Sequence, residues 1–338
     1  MSRKTFLGAS RQFPYNLKML HWLVAGIGDI TTKRALPAIL SESRSVLHAV
    51  LTRNPEKAAA YPNARVYTTL EAALADPLID AVYIGLPVAL HAPTALAAFR
   101  AGKHVLCEKP VAMNYTEARS LVDAANAAKL RFGVSYYRRM YPKLRRAAEL
   151  LNQGVIGRPL LAEAHNHFWF DEAVGPRNWF LNPAFSGGGP LYDIASHRID
   201  LFNFLFGNPV RVCGQISNVI HPRAVEDSAT VLIEYEQGTR CMVDVRWHSK
   251  IGLDDFRITG TEGVMDLSPL NSPNLTYPGG DEQQPAPTNL HYPCVENFVS
   301  AVQDGTPLAS SGASAIVTDW VTKQVLDTNP QGRFRYHR

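Results

Sequence analysis

The chain has 338 residues, 46% hydrophobic and 19% charged, with a net charge of +4. That length fits two domains, and that apolar share excludes wholesale disorder. No apolar run reaches the ~18 residues of a membrane span, and no basic run exceeds Arg138-Arg139 or Arg145-Arg146, so neither a membrane nor nucleic acid is an expected partner.

Residues 1–18 carry Arg3, Lys4 and Arg11 but lack the apolar core of a signal peptide, so they read as a tail, with Met19 as an alternative start. Cys107, Cys213, Cys241 and Cys294 are scattered without a CxxC, which predicts reduced thiols and a cytoplasmic protein. Leu20–Ala25, Val46–Leu51, Ala81–Leu86, Lys103–Cys107 and Arg131–Ser135 are short apolar runs that read as strands. Between them Lys33–Glu42, Leu70–Asp76, Pro93–Ala101 and Thr116–Lys129 have helical composition. Strands alternating with helices predict an α/β fold with a parallel sheet covered on both faces.

The pattern changes near Pro142. A helix over Lys143–Asn152 precedes longer runs at Leu160–Phe170, Val210–Ile220, Thr230–Tyr235, Thr239–His248 and Phe256–Thr259. These predict a second, antiparallel or mixed sheet. Ser268–Pro287 reads as a surface loop, and helices near Val295–Asp304 and Ala313–Thr328 close the chain.

Gly26-Ile27-Gly28-Asp29-Ile30-Thr31 follows the first strand and opens the first helix, the context of a dinucleotide-binding turn. Its third glycine position holds Thr31. After the second strand, Thr52 and Arg53 stand where an NAD site would place an acid. A missing acid beside an arginine favours a 2′-phosphate, hence NADP, with NAD as the alternative.

Two further motifs are hard to explain by packing. One is AGKHVLCEKP at Ala101–Pro110, which brings Glu108 and Lys109 to the edge of the sheet. The other is GGGPLYDIASH at Gly187–His197, whose Asp193 and His197 are four apart on one helix face. With Ala25–Gly28, Leu86-Pro87 and His91, Arg139–Pro142, Gly154–Gly157 and Gly260–Gly263, these motifs resemble the Gfo/Idh/MocA family of NAD(P)-dependent oxidoreductases over Met19 to Asp327.

The resemblance implies a Rossmann domain over 19–140. It also implies a substrate and oligomerisation domain over 141–338, with a large, open, mostly antiparallel sheet that supports a homodimer or homotetramer. It implies hydride transfer between nicotinamide and a secondary alcohol or carbonyl of a sugar, polyol or diol. Lys109 would be proton donor and orienting group, His197 the main acid/base, and Asp193 the group that orients substrate and histidine. Which of Lys109 and His197 is the base stays open. Gly26, Ile27, Gly28, Asp29, Ile30, Thr52, Arg53, Leu86, Pro87, His91, Glu108, Lys109 and Tyr137 would hold the cofactor, with Glu108 on the nicotinamide ribose or steadying Lys109. The same fold also serves redox-cycling glycoside hydrolases and non-catalytic dinucleotide sensors. Against a sensor stands the intact set of Lys109, Asp193 and His197.

The family's Trp-Arg pair is Trp179-Phe180 here, with Arg177 as the nearby candidate substitute. Trp169, Phe170, Trp179 and Phe180 are expected to form an apolar substrate wall. His165 and His167 share one face of a strand; with His197 they would make at most an incomplete zinc set, and no metal is expected.

Overall fold

The computed structural model describes residues 19–171, 175–221 and 223–329. The predicted tail over 1–18 and the side chain of Arg177 lie outside the described residues. The first sheet holds β1 (Leu20–Ala25), β2 (Ser45–Leu51), β3 (Arg65–Tyr67), β4 (Ala81–Ile84), β5 (His104–Cys107) and β6 (Phe132–Val134). Their order is β3-β2-β1-β4-β5-β6, all parallel. The apolar runs are buried on both faces, and β4 is buried at every position. β3 carries no apolar signature because it is a three-residue edge strand with two exposed side chains. Strand order reverses between β1 and β4, which opens a ligand crevice at their carboxyl ends.

The second sheet holds β7 (Pro159–Trp169), β8 (Pro209–Ser217), β9 (Ser228–Tyr235), β10 (Arg240–Arg246), β11 (His248–Gly260), β12 (Val264–Asp266), β13 (Asn274–Tyr277) and β14 (Gly280–Gln283). The order is β14-β13-β12-β11-β7-β10-β9-β8, antiparallel except for β7 against β10. The predicted loop over 268–287 is thus corrected: it contains the β13–β14 hairpin, whose turn is built on Pro278 and Gly279. One face of this sheet, through Ala164, Val243 and Phe256, packs on Ile199 and Phe202 of the helix Ser196–Phe206.

The last two helices return to the first sheet. Tyr292–Gln303 buries Val295, Phe298 and Val299 against the face of β1, with Trp22 and Phe298 rings 5.2 Å apart. Gly312–Asp327 places Ala315 and Ile316 in the first core and Val321 and Val325 in the second. Among the described residues no helix is long and apolar enough to cross a membrane.

Candidate active site

The glycine turn is built by close approach to β4. Gly26 has φ +93°, and a Cβ there would meet Gly85 O and the Leu86 side chain at 2.8 Å. Only glycine tolerates both constraints. At Gly28 a Cβ would meet nothing nearer than Gly85 O at 3.9 Å, so the space before it is open. The helix that follows runs over 29–41, with a π-turn over Thr31–Ala35. Its N-terminal amides and the open face at Gly28 fit a pyrophosphate. Ile27 buries its side chain in the core, so it offers a ligand only backbone.

Thr31 is fully buried, and a Cβ at Gly85 would lie 2.3 Å from its Oγ1. The tight helix–strand contact of a third fingerprint glycine is therefore made here by a glycine on the strand side. The signal for it was Gly85 directly after an apolar strand. At the end of β2, Thr52 is buried and bonded within its own turn, its Oγ1 3.1 Å from Asn54 O. Arg53 is exposed and has no partner among the described residues. Lys57 Nζ lies 3.5 Å from Ile27 O, which brings a second cation near the turn.

At the end of β5, Lys109-Pro110 is a cis peptide. His91 is buried between Pro110 O at 2.9 Å and Leu86 O at 2.8 Å. Both ring nitrogens thus lie within hydrogen-bond distance of a backbone carbonyl, and the one that carries the proton donates, so His91 holds the Leu86-Pro87 loop close to Pro110. Glu108 is also committed: its Oε1 accepts from Tyr83 Oη and lies 3.0 Å from His291 Nε2. Burial would raise the Glu108 pKa, but His291, Tyr83 and Lys109 together hold it below its ordinary value. His291, which comes from the far end of the sequence, carried no motif that could have flagged it.

The second motif begins with Gly187, Gly188 and Gly189. Side chains at the first two would strike the Tyr192 ring, and one at Gly189 would meet Glu226 O at 2.1 Å. Glu226 Oε1 accepts the Gly189 and Leu191 amides at 2.8 and 3.1 Å, capping the helix from outside. That helix opens with a π-turn over Leu191–Ala195 and continues as Ser196–Phe206. Asp193 lies within the π-turn and His197 two residues beyond its end, and such bulges recur at functional sites.

Lys109 Nζ donates to Asp193 O at 2.7 Å and to Asp193 Oδ1 at 2.9 Å. Asp193 thereby orients the lysine; no hydrogen bond joins it to His197. His197 is 6% exposed, and its Nδ1 is buried without a partner. Burial, then the nearby charges of Lys109, Arg138 and Arg198, push its pKa well below the ordinary value. The Tyr137 ring stands 5.2 Å from that of His197 and 4.7 Å from that of His291, so it bridges the two histidines.

Two family descriptions match the chain: "Oxidoreductase family, NAD-binding Rossmann fold" over residues 20–136, and "GFO/IDH/MocA C-terminal domain" over residues 144–266. A 1,5-anhydro-D-fructose reductase of Ensifer adhaerens is 29% identical, covering 86% of this chain and 91% of that protein. A dTDP-3,4-didehydro-2,6-dideoxy-alpha-D-glucose 3-reductase of Streptomyces violaceoruber is 30% identical, covering 79% of this chain and 80% of its own. This chain belongs to the Gfo/Idh/MocA oxidoreductase family. The fold agrees: a levoglucosan dehydrogenase solved with NADH and levoglucosan superposes with a TM-score of 0.83 at 22% identity, over 93% of this chain and 98% of that one.

Within this Gfo/Idh/MocA fold, several expected site residues lie elsewhere. Alternation along β7 puts Ala162 and Ala164 in the core, so His165, His167 and Trp169 face the opposite side of the sheet from His197. A zinc set that combines them with His197 is therefore ruled out by topology. His167 Nε2 pairs instead with Asp244 Oδ2 at 2.6 Å. Trp169 stands against His221 and Lys250 on that outer side and cannot join a substrate wall with Phe170. Phe170 stacks on the buried Trp247, and Trp179 stacks on Phe180 at 4.1 Å.

Proposed function

We propose that this protein is an NADP-dependent oxidoreductase that interconverts a secondary alcohol and a carbonyl on a sugar-like substrate. The observation that carries this reading is the Lys109–Asp193 pair, which joins the edge of the first sheet to the helix that bears His197. The bound dinucleotide supplies the hydride acceptor or donor. Gly26, Ile27, Gly28, Asp29 and Ile30 would hold its pyrophosphate, and Thr52 and Arg53 its adenine ribose. Arg53 and Lys57, with no acid at the end of β2, support a 2′-phosphate and hence NADP over NAD.

An ammonium has three N–H donors, and Asp193 takes two of those on Lys109. The third is available to the reacting oxygen of the substrate, where it polarises a carbonyl or steadies an alkoxide. His197 is held neutral, so it meets the substrate hydroxyl as a proton acceptor and returns that proton in the reductive direction. Tyr137 fixes the imidazole edge-on, and Glu108 with His291 and Tyr83 forms a rigid floor beneath the lysine.

The relatives named for anhydrofructose and deoxysugar reduction support a sugar-like substrate. The exposed Leu161, Trp169 and Leu232 on the outer face of the second sheet support assembly through that face into a dimer or tetramer. The test is a screen of sugars, polyols and diols by nicotinamide absorbance with NADP⁺ and NAD⁺, on the wild type and K109M. Turnover by the wild type that K109M loses supports the reading. Equal turnover by K109M removes Lys109 from the chemistry.

A further inference from the structure

Three buried cations cluster near His197 with one carboxylate, Asp254, among them. Arg138 follows β6, Lys143 lies on the helix Pro142–Asn152, and Arg198 follows His197; they are 8%, 1% and 2% exposed. Arg198 Nη2 donates to Asp254 Oδ1 at 2.8 Å. Asp254 is already shared, accepting from Asn166 at 3.2 Å and from the Asn271 amide side chain at 2.8 Å. Lys143 Nζ donates only to the carbonyls of Leu267 and Pro269, at 2.7 and 3.0 Å. Arg138 gives Nη1 to the neutral Asn271 Oδ1 at 2.7 Å and lies over the Tyr137 and Tyr141 rings. Among the described residues no carboxylate pairs with it, and the Nε atoms of Arg138 and Arg198 are both buried without partners.

Other local acids are spoken for. Asp193 is bonded to Lys109, and Asp266 to Arg257 at 2.8 Å. A guanidinium buried without a counter-charge is strongly unfavourable and marks a place where a charge is to be supplied. Burial, with Arg138 adding to it, brings the Lys143 pKa down to about 8, so the lysine still carries most of its charge at neutral pH. Asp254 answers Arg198. Close to two positive charges are left over, those of Lys143 and Arg138, and the Arg138 guanidinium lies against Tyr137, which touches His197.

We propose that Arg138, with Arg198 and Lys143 behind it, binds a carboxylate on the substrate, so that the preferred substrates are sugar acids and not neutral sugars. This deepens the oxidoreductase reading and rests on it. A planar guanidinium with unused donors suits a carboxylate. The same charge serves the chemistry. His197 is a weak base chiefly because it is buried, and the cations around it add to that; a carboxylate entering among them favours its protonated form. A neutral sugar brings no such relief, so recognition of the acid and activation of the base come from one group.

The test compares kcat/KM on the full chain, with one dinucleotide, for matched pairs: D-glucuronate against D-glucose, D-galacturonate against D-galactose, and D-gluconate against D-glucitol, with D-glucose 6-phosphate as a separate arm. At least one acid is expected to exceed its neutral partner by about tenfold or more, and R138Q to shrink that ratio about tenfold or more. Neutral sugars matching or beating their acids overturn the proposal and leave the oxidoreductase reading intact. Preference for the phosphate ester overturns the choice of carboxylate. Thermal melting gives a readout that needs no turnover: the acids should raise Tm of the wild type more than the neutral compounds do, and R138Q should lose that difference. If no compound is turned over but an acid still raises Tm selectively, the oxidoreductase reading fails and the carboxylate site stands. If calorimetry shows R138Q weakening NADP⁺ and NAD⁺ binding as much as acid binding, the cluster serves the cofactor and the proposal falls.

Discussion

Thr31 fills the space that Gly85 leaves open, so closely that a Cβ at Gly85 would stand 2.3 Å from Thr31 Oγ1. Helix and strand meet there in the way a third fingerprint glycine would otherwise allow. G85A should cost about 1–3 kcal/mol through overpacking and weaken dinucleotide binding, read by denaturant midpoint and calorimetry. Among the described residues the Thr31 hydroxyl has no hydrogen-bond partner, so T31A alone should be mild. In the double variant T31A/G85A most of the loss should return. A double variant no better than G85A would show that this contact is not the cause.

What the sequence revealed follows from how strongly each element is patterned. Leu20–Ala25 is a continuous apolar run and is a strand at those residues. β3, β13 and β14 are only three or four residues long, and of these Leu275 alone is fully buried, so the runs are too short for a periodicity to announce them. Lys109, Asp193 and His197 were visible as motif residues, and the structure brings lysine and aspartate into contact. His291 and Glu226 were not visible, because each acts across a long sequence separation through a single side chain. Face assignment also needed the sheet: His165 and His197 are histidines near one cleft in sequence terms, yet opposite sides of β7 separate them.

Among the described residues Asp193 is the sole carboxylate on Lys109. D193N should therefore leave the ammonium misdirected while the fold survives, since both side chains are partly solvated. We expect kcat/KM to fall by roughly two to four decades, the range of a lost acid/base arrangement, with a denaturant midpoint close to wild type. A large stability loss with little change in kcat/KM would make the pair structural.

Arg139 and Asp200 form a bidentate pair that is almost fully sealed from solvent, with Ser314 completing the arginine's bonds at 2.8 Å. The pair ties the chain after β6 to the helix that bears His197 and to the final helix. R139Q strands a buried carboxylate, and a cost of about 3–5 kcal/mol is expected. Urea unfolding at neutral pH checks it. A loss below about 1 kcal/mol would be the figure for a surface pair and would contradict this burial.

In an NADP-dependent enzyme of this kind, cofactor choice would turn on the end of β2. R53A and K57A remove the two cations near the adenine-ribose position and leave Thr52 in its turn. Calorimetric titration should show NADP⁺ affinity reduced about tenfold or more for the pair of changes, with NAD⁺ affinity little altered. Equal losses for both dinucleotides would mean that these cations do not read a 2′-phosphate.

The pH dependence of stability offers a test of His197 that is independent of catalysis. Its pKa in the folded protein lies well below the ordinary 6.5, chiefly through burial. Below pH 6.5 the unfolded chain therefore binds a proton that the folded protein refuses. By linkage, stability rises with pH wherever the unfolded state holds more protons. The contribution of His197 is thus complete above about pH 6.5 and is lost as the pH falls from there toward the folded pKa. Each pH unit in that window is worth up to about 1.4 kcal/mol. His91 acts with the same sign, and the buried acids Asp200, Glu226 and Asp319, whose pKa values burial raises, act with the opposite one. Those groups are common to wild type and H197N, so they cancel in the difference between the two. Urea midpoints from pH 7 to pH 5 should fall more steeply for wild type than for H197N. Parallel curves would mean that His197 titrates normally in the folded protein and that the cations around it are better screened than their burial implies.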